Sequence, residues 1–421
     1  MNRIESAIYR ILFRFPNIKL FVRNLYQSII DLLPREKEYL PEGLLQIKDC
    51  YFGFHDVSQF SPDDTKILVL KNPFDGRMPK QGDTAEIGYY DFNGKEIGIY
   101  HSIGKTSAWN FHKGCREQWI DNEHIIYNTS IQGKLVCVIS RINEPFQKVY
   151  DCSIDSVSIK TMMATSFSYE RLEHCMPGYG YPYKDNSFLG EDSPVNTGLF
   201  IINLMNGERK LLISLKQMSD TAPEEYRIGY IHYVTHTEFS PDGSHISFLH
   251  RWIKRNGSTN KRWTRLMVYN IADSSCWELP SQYAVSHYVW NGNKTIIASS
   301  VIDGVCHHIQ YDWNKIPDQR TIAPKRLNSD GHQTILTSNV FITDTYPDKS
   351  RMARLFKVII NTGECNCIAK VYSPKSFQTR DFKCHIACDL HPRISFSGKF
   401  LSFDSPRDGV RSVYIIPIDF Y

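Results

Sequence analysis

Nowhere in this 421-residue chain does an uncharged apolar stretch reach the roughly 18 residues that a membrane-spanning helix needs. The opening residues, MNRIESAIYRILFRF, carry Glu5, Arg10 and Arg14 where a secretory leader would have its apolar core, and no small-residue cleavage site follows. A soluble, cytoplasmic chain is expected. Excess charge of one sign is missing too: 49 Lys and Arg stand against 45 Asp and Glu, for a net +4, with no long basic run. Nothing therefore favours a nucleic-acid partner. The eleven cysteines include no CxxC. Their close pairs, Cys365-x-Cys367 and Cys384-x3-Cys388, lack the spacing of a zinc knuckle or redox centre. An odd count without a leader reads as reduced thiols packed as small hydrophobes.

The Ala/Glu/Lys/Leu bias of a helical protein is also absent. In its place stand 24 Tyr, 23 Phe, 24 Gly and 20 Pro, a mixture that suits many short strands joined by tight turns. Residues 1–34 are the exception: Ile4, Ile8, Ile11, Leu12 and Phe15, then Leu20, Phe21, Leu25, Ile29 and Leu32, recur at helical spacing, punctuated by Pro16 and Pro34. This predicts a helical arm over residues 1–45, packed on a main domain spanning 46–421. Arg3, Arg10, Arg14, Lys19 and Arg23 leave open a peripheral membrane contact through residues 1–34. Nothing in the sequence sets the oligomeric state.

After residue 45 the chain overlays on itself. His236-Thr-Glu-Phe-Ser-Pro-Asp-Gly-Ser-His-Ile-Ser-Phe248 aligns without a gap on His391-Pro-Arg-Ile-Ser-Phe-Ser-Gly-Lys-Phe-Leu-Ser-Phe403. Phe60–Leu70 repeats the turn and second strand, and His287-Tyr-Val-Trp and His332-Gln-Thr-Ile open two further copies. These anchors predict blades beginning near residues 50, 107, 165, 234, 285, 330 and 389, an all-β, seven-bladed β-propeller. Its ring should close where the chain near Tyr51 meets a C-terminal strand at 412–418, since an open ring would expose a sheet edge.

The first strand of each blade lines the central channel, so His236, His287, His332 and His391 should converge on one small volume. Imidazoles gathered in this way can bind a divalent ion, recognise anions or act as acid and base near neutral pH. The plainer alternative is a ring of histidines that merely hydrogen-bond neighbouring loops. Asp389, His385, Arg393, Arg265, Arg255 and Arg262 in the same or adjacent elements favour the chemical reading. The segment 251–264 interleaves Arg251, Lys254, Arg255, Lys261 and Arg262 with Trp252 and Trp263, offering charge for carboxylates and flat faces for sugar rings. The alternative there is a solvated hairpin. An insertion at 169–194, with Arg171 and Tyr181, is expected to form another rim of the groove.

Longer words carry a resemblance. Phe52-Gly-Phe-His-Asp56, Ala108-Trp-Asn-Phe-His-Lys-Gly-Cys-Arg-Glu-Gln-Trp119, Pro177-Gly-Tyr-Gly-Tyr181, Asp330-Gly-His332, Asp344-Thr-Tyr-Pro-Asp348 and Cys388-Asp-Leu-His-Pro-Arg393 resemble signatures of the oligogalacturonate-lyase-like superfamily of bacterial propellers. The likeness spans roughly residues 47–421 and lies nearest a branch that travels with surface-polysaccharide genes. It implies β-elimination at a uronic acid, with fixed positive charge neutralising the carboxylate as electrons arrive. His332 and His391 are similar to ligands of a Mn-like divalent metal, and Asp389 stands where the lyases carry another histidine. Arg265 matches an arginine linked to proton abstraction, although guanidinium seldom gives up its proton, so carboxylate binding suits it better. His287 matches an active-site histidine and, with His236, is expected in acid–base work. Substrate contacts are expected from His55, His112, Arg393, Arg255, Arg262, Trp263, Arg171 and Tyr181. The segment 251–264 departs from the lyases, which have an acidic, histidine-containing loop there. The resulting expectation is a lyase acting on an acidic, uronate-containing bacterial polysaccharide or oligosaccharide. The alternative is a non-catalytic propeller that binds glycan or protein during surface-polysaccharide assembly.

Overall fold

The run Lys66–Lys71, KILVLK, buries four consecutive residues, which a strand can do only if both of its faces are covered. The same pattern recurs around the molecule because each blade is sandwiched between two others. In the computed structural model the described residues are Leu25, Asp31, 36–142, 144, 146–315, 318–379 and 384–418. The predicted arm, and any membrane contact through it, lies outside the described residues except for Leu25, Asp31 and the stretch from 36 onward. Asp31 accepts two hydrogen bonds from Arg351, at 2.7 and 2.9 Å. Among the described residues, no helix is long and apolar enough to cross a membrane.

Seven four-stranded antiparallel sheets form a seven-bladed β-propeller. Their first strands begin at Cys50, Gln118, Val157, Tyr230, Val285, Gln333 and Arg393. The last blade is completed by Leu45–Lys48, which pairs antiparallel with the final strand, Leu45 opposite Ile415 and Lys48 opposite Ser412. The ring is thus closed by a segment slightly N-terminal to Tyr51, which itself opens the first blade.

Two blade boundaries differ from the sequence reading. The second blade does not begin near 107: residues 108–117 make a buried loop, with Gly114 and Arg116 at positive φ, before the short strand Gln118–Trp119. The third blade begins at Val157, and Thr165 lies in its second strand, Met163–Ser166. The insertion after Ser166 falls inside that blade, before its third strand Gly198–Asn203, and so mimics a boundary in the sequence. It contains helix α1, Tyr169–Cys175, whose first turn is capped by Ser168 accepting from Arg171 N. A second helix, α2, Leu215–Asp220, follows the fourth strand with a capping box at Ser214.

The core is divided into wedges between neighbouring blades. Leu68, Leu70, Ile87, Trp109 and Val138 fill one; Leu249, Leu266, Val268, Tyr288 and Ile296 fill another. Burying each such aliphatic side chain contributes about 1.5–3 kcal/mol. The axis is not an open pore. The ring of Phe54, 3 % exposed, occupies it and touches two polar assemblies, described next.

Candidate functional site

The first assembly is ionic. Lys113 Nζ lies 2.5 Å from Asp155, Arg116 lies 2.7 Å from Asp56, and Arg116 reaches Asp155 at 3.2 Å. Asp155 also accepts from Tyr169 Oη and from the backbone and hydroxyl of Thr237. Burial opposes its charge, but Lys113 and Arg116 outweigh that and hold the carboxyl well below the usual range.

The second assembly gathers the predicted histidines. Ring centroids of His287 and His332 are 4.1 Å apart, those of His332 and His391 4.2 Å, and those of His236 and His287 5.9 Å. His55 joins them, 5.1 Å from His332, and Phe54 contacts all five imidazoles. Local backbone explains the convergence. Breaks in strand register bracket His236 and His287, and such bulges re-aim side chains. His236 and His391, equivalent in the sequence overlay, share left-handed φ values of 52° and 45°, a conformation a non-glycine residue holds only when its surroundings enforce it.

Two carboxylates orient this cluster. His332 Nδ1 lies 2.9 Å from both oxygens of Asp344, which also accept the backbone N–H groups of His332 and His391. His287 Nδ1 lies 3.1 Å from Asp330, which also accepts from Ser286 and Gly331. With Nδ1 turned to a carboxylate, each of these two histidines has Nε2 left for a ligand. Burial would drive the His332 pKa down, but Asp344 overrides it and the net shift is upward. Burial depresses the pKa values of His55, His236, His287 and His391, and neighbouring positive charge adds to it, so these imidazoles are neutral.

His332, Asp389 and His391 offer ligand atoms within 4.8 Å of one another, all buried. Two imidazoles and a carboxylate suit a divalent first-row ion. Orphaned atoms point the same way: His55 Nε2, His236 Nε2 and His112 Nδ1 are buried without a hydrogen-bond partner, whereas buried polar atoms are normally paired. The residues thus fit a metal and a polar ligand. Exposure rises from 2 % at His332 to 40 % at Tyr346, whose ring lies 5.6 Å away. The surface cavities lined by Asp56, Ser156 and Glu238 (≈ 560 Å³) and by Arg320, Lys325 and Arg326 (≈ 500 Å³) do not include these histidines.

His112 stands at the edge of the cluster, stacked 4.6 Å from Tyr179, bonded to His385 at 2.8 Å and 3.7 Å from Asp389. Other expected residues lie elsewhere. Arg265 spends its donors on Met218, Thr221, His250 and Glu278, not on the histidine cluster, which corrects its expected place. Arg393 is consumed by Gln59, Gly53 and Asp404. Arg171 donates to carbonyls of His232, Ser187, Phe188, Glu191 and Asp192, pinning the insertion to α1. Tyr181 is fully buried against Tyr169; it is Tyr179, two residues earlier, that meets His112. Arg255 pairs with Asp192 at 2.6 Å, and Trp263 packs on Tyr226 and Tyr230. Arg262 is half-buried and its charge acts on Tyr179 and His385. Sequence reasoning assigns no role to Asp330, Asp344 or Phe54, although each sits inside one of the words quoted above.

No protein-family model matches the chain, and no curated protein matches it. Solved structures do. An oligogalacturonate lyase in complex with manganese superposes with a TM-score of 0.58 at 12 % identity, covering 92 % of this chain and 97 % of that one. Oligogalacturonate lyase from Vibrio parahaemolyticus gives 0.55 at 10 % identity, covering 92 % and 99 %. At such identities the likeness is one of fold.

Proposed function

We propose that the chain is a polysaccharide lyase that cleaves an acidic, uronate-containing bacterial glycan by metal-assisted β-elimination. The observation that carries this reading is the meeting of His332, Asp389 and His391 beside the His287–Asp330 pair on the propeller axis. The fold shared with an oligogalacturonate lyase that binds manganese supports it. His332, Asp389 and His391 would hold a Mn-like divalent ion, which when bound supplies fixed positive charge for a substrate carboxylate.

The chain's own residues supply the proton transfers. His287, oriented by Asp330 and neutral, takes the proton from the carbon next to the uronate carboxylate. The electron pair left behind forms the C=C bond as the adjacent C–O bond breaks, and the departing oxygen receives the proton that His287 took up, relayed on the His236 side. His55 and His112 line the sugar position, with Arg262 towards the rim. The partner is an acidic oligosaccharide or polysaccharide.

The test is incubation with uronate polymers and Mn²⁺ while following the ultraviolet absorbance of the unsaturated product. Absorbance should rise with wild type and stay flat with His287→Ala. A flat wild-type trace across uronate polymers overturns the reading. Saturable glycan binding in that case would favour the non-catalytic propeller.

A further inference from the structure

Seven arginines are buried among the described residues: Arg116, Arg171, Arg251, Arg265, Arg351, Arg393 and Arg411. Five have a carboxylate partner: Arg116 with Asp56, Arg265 with Glu278, Arg351 with Asp31, Arg393 with Asp404 and Arg411 with Asp75. Arg171 has none, but five backbone carbonyls within 3.0 Å take its place. Arg251 has neither arrangement. It is 4 % exposed. Its Nε donates to Thr264 Oγ1 at 3.1 Å, Nη1 meets Met176 Sδ at 3.2 Å, and Nη2 reaches the Ser286 and Val285 carbonyls at 3.2 and 3.4 Å. A thioether is a weak acceptor, and the carbonyl contacts are long. A buried charge without a matching anion is costly and is retained where something compensates it.

The position of Arg251 names the compensating group. Its charge acts on His236 and His287, the acid–base pair proposed above, and on Tyr179 and Tyr233. Arg262, half-buried, acts on the same two tyrosines. Asp330, whose charge acts on Arg251, is committed to His287, Ser286 and Gly331. His236, on which the charge of Arg251 acts, has a buried Nε2 without a hydrogen-bond partner among the described residues. Burial, reinforced by Arg262, draws the Arg251 pKa down to about 10, as expected of a cation short of its counter-charge.

We propose that Arg251, assisted by Arg262, is a second carboxylate-binding group of the site, on the side of the axis formed by the fourth and fifth blades, and takes the carboxylate of the neighbouring sugar unit while the His332–Asp389–His391 triad serves the reacting one. This rests on the uronate reading above and gives it the specificity-determining residue that Arg265 and Arg393 cannot supply. A planar guanidinium matches a carboxylate edge-on, so the ligand is an acidic sugar rather than its neutral ester.

The experiment is calorimetric titration of the full chain, without added metal so that turnover is suppressed, with galacturonate and glucuronate dimers and with their methyl esters. Wild type should bind at least one acid about tenfold or more tightly over its ester. Arg251→Gln should abolish that preference, and Arg251→Lys should keep part of it, having charge without the planar fork. In urea unfolding without ligand, Arg251→Gln should match wild type or exceed it, since no ion pair is lost. Equal binding of acid and ester by wild type, no binding of any dimer, an undiminished preference in Arg251→Gln, or a variant that fails to fold would each overturn the proposal. The two readings fail separately. An acid preference in a protein that makes no unsaturated product removes the lyase and keeps the anion site; undiminished product formation by Arg251→Gln removes the site and keeps the lyase.

Discussion

Phe54 is in contact with two buried polar assemblies that follow opposite rules. In the Lys113–Asp155–Arg116–Asp56 lattice each charge has an opposite partner within 3.2 Å, and hydroxyl and backbone donors complete Asp155. In the histidine cluster, among the described residues, His55 Nε2, His236 Nε2 and His112 Nδ1 have no hydrogen-bond partner, His236 and His391 stand in left-handed backbone, and Arg251 has no carboxylate in an ion pair. Full pairing is what stability requires of buried charge. The unpaired assembly gives up stability, and the most economical explanation is a ligand that completes it. One assembly fastens the first four blades together; the other is built to be finished by something else.

The sharpest way to break this contrast is to remove one member from each side. Asp155→Ala leaves Lys113 and Arg116 buried without their shared anion and should cost about 3–5 kcal/mol in urea unfolding. In metal-free buffer His391→Ala, which removes an imidazole 4.0 Å from Asp389 and, among the described residues, in no closer ion pair, should cost clearly less stability than Asp155→Ala, yet lower Mn²⁺ affinity on the order of 100-fold or more by calorimetry, beyond what loss of an outer partner does. Equal destabilisation by the two would erase the distinction. Asp344→Asn tests the boundary between them, because Asp344 both orients His332 and receives the His332 and His391 backbone N–H groups. It should weaken Mn²⁺ binding about 10- to 100-fold and leave the ring folded.

How far each assembly could be read from residues follows the same contrast. The propeller and its histidines were legible because a repeat places equivalent residues at equivalent points: the overlay of His236 on His391 foretold that they converge, and the structure adds that they share a left-handed backbone. Asp389 was legible through its distance from His391 in the same word. Arginine was not legible. Arg265 and Arg393 were expected to bind carboxylates from the resemblance and from their place beside the histidines, and Arg171 from its place in the insertion, but Glu278, Asp404 and a set of carbonyls, distant in sequence or on neighbouring strands, take up their donors. Only the fold reveals those partners. The lattice around Asp155 was invisible for the same reason, since Lys113 and Asp155 come from different blades and no spacing signals the pair. Tyr181 and Tyr179 show the limit at its finest: two residues in one word, one stacked beneath the insertion and the other against His112.

The smallest expected effect concerns protons. Burial first, and neighbouring positive charge second, depress the pKa values of His55, His236 and His391 in the folded chain, whereas in the unfolded chain they titrate near 6.5. As pH falls below about 6.5 the unfolded state takes up protons that the folded state refuses, so stability declines, by about 1.4 kcal/mol per pH unit for each such imidazole. His332, shifted upward by Asp344 against the effect of burial, works in the opposite sense but over a higher range: its stabilisation is complete below about pH 6.5 and is lost as pH rises through its folded pKa. Asp155 behaves differently again: its depressed pKa leaves its contribution complete above about pH 4 and removes it only in stronger acid. Between about pH 6.5 and 5 the lattice is therefore silent, and the histidines titrate together with the carboxyls of Glu117, Glu173 and Asp185, which burial raises to about 7, 7 and 6. In metal-free buffer, His236→Gln should reduce the pH slope of urea-unfolding stability over that interval by about 1.4 kcal/mol per unit, because Gln fills similar space without titrating. An unchanged slope would mean that His236 is protonated in the folded chain and has found a counter-charge, which would place it with the paired assembly instead.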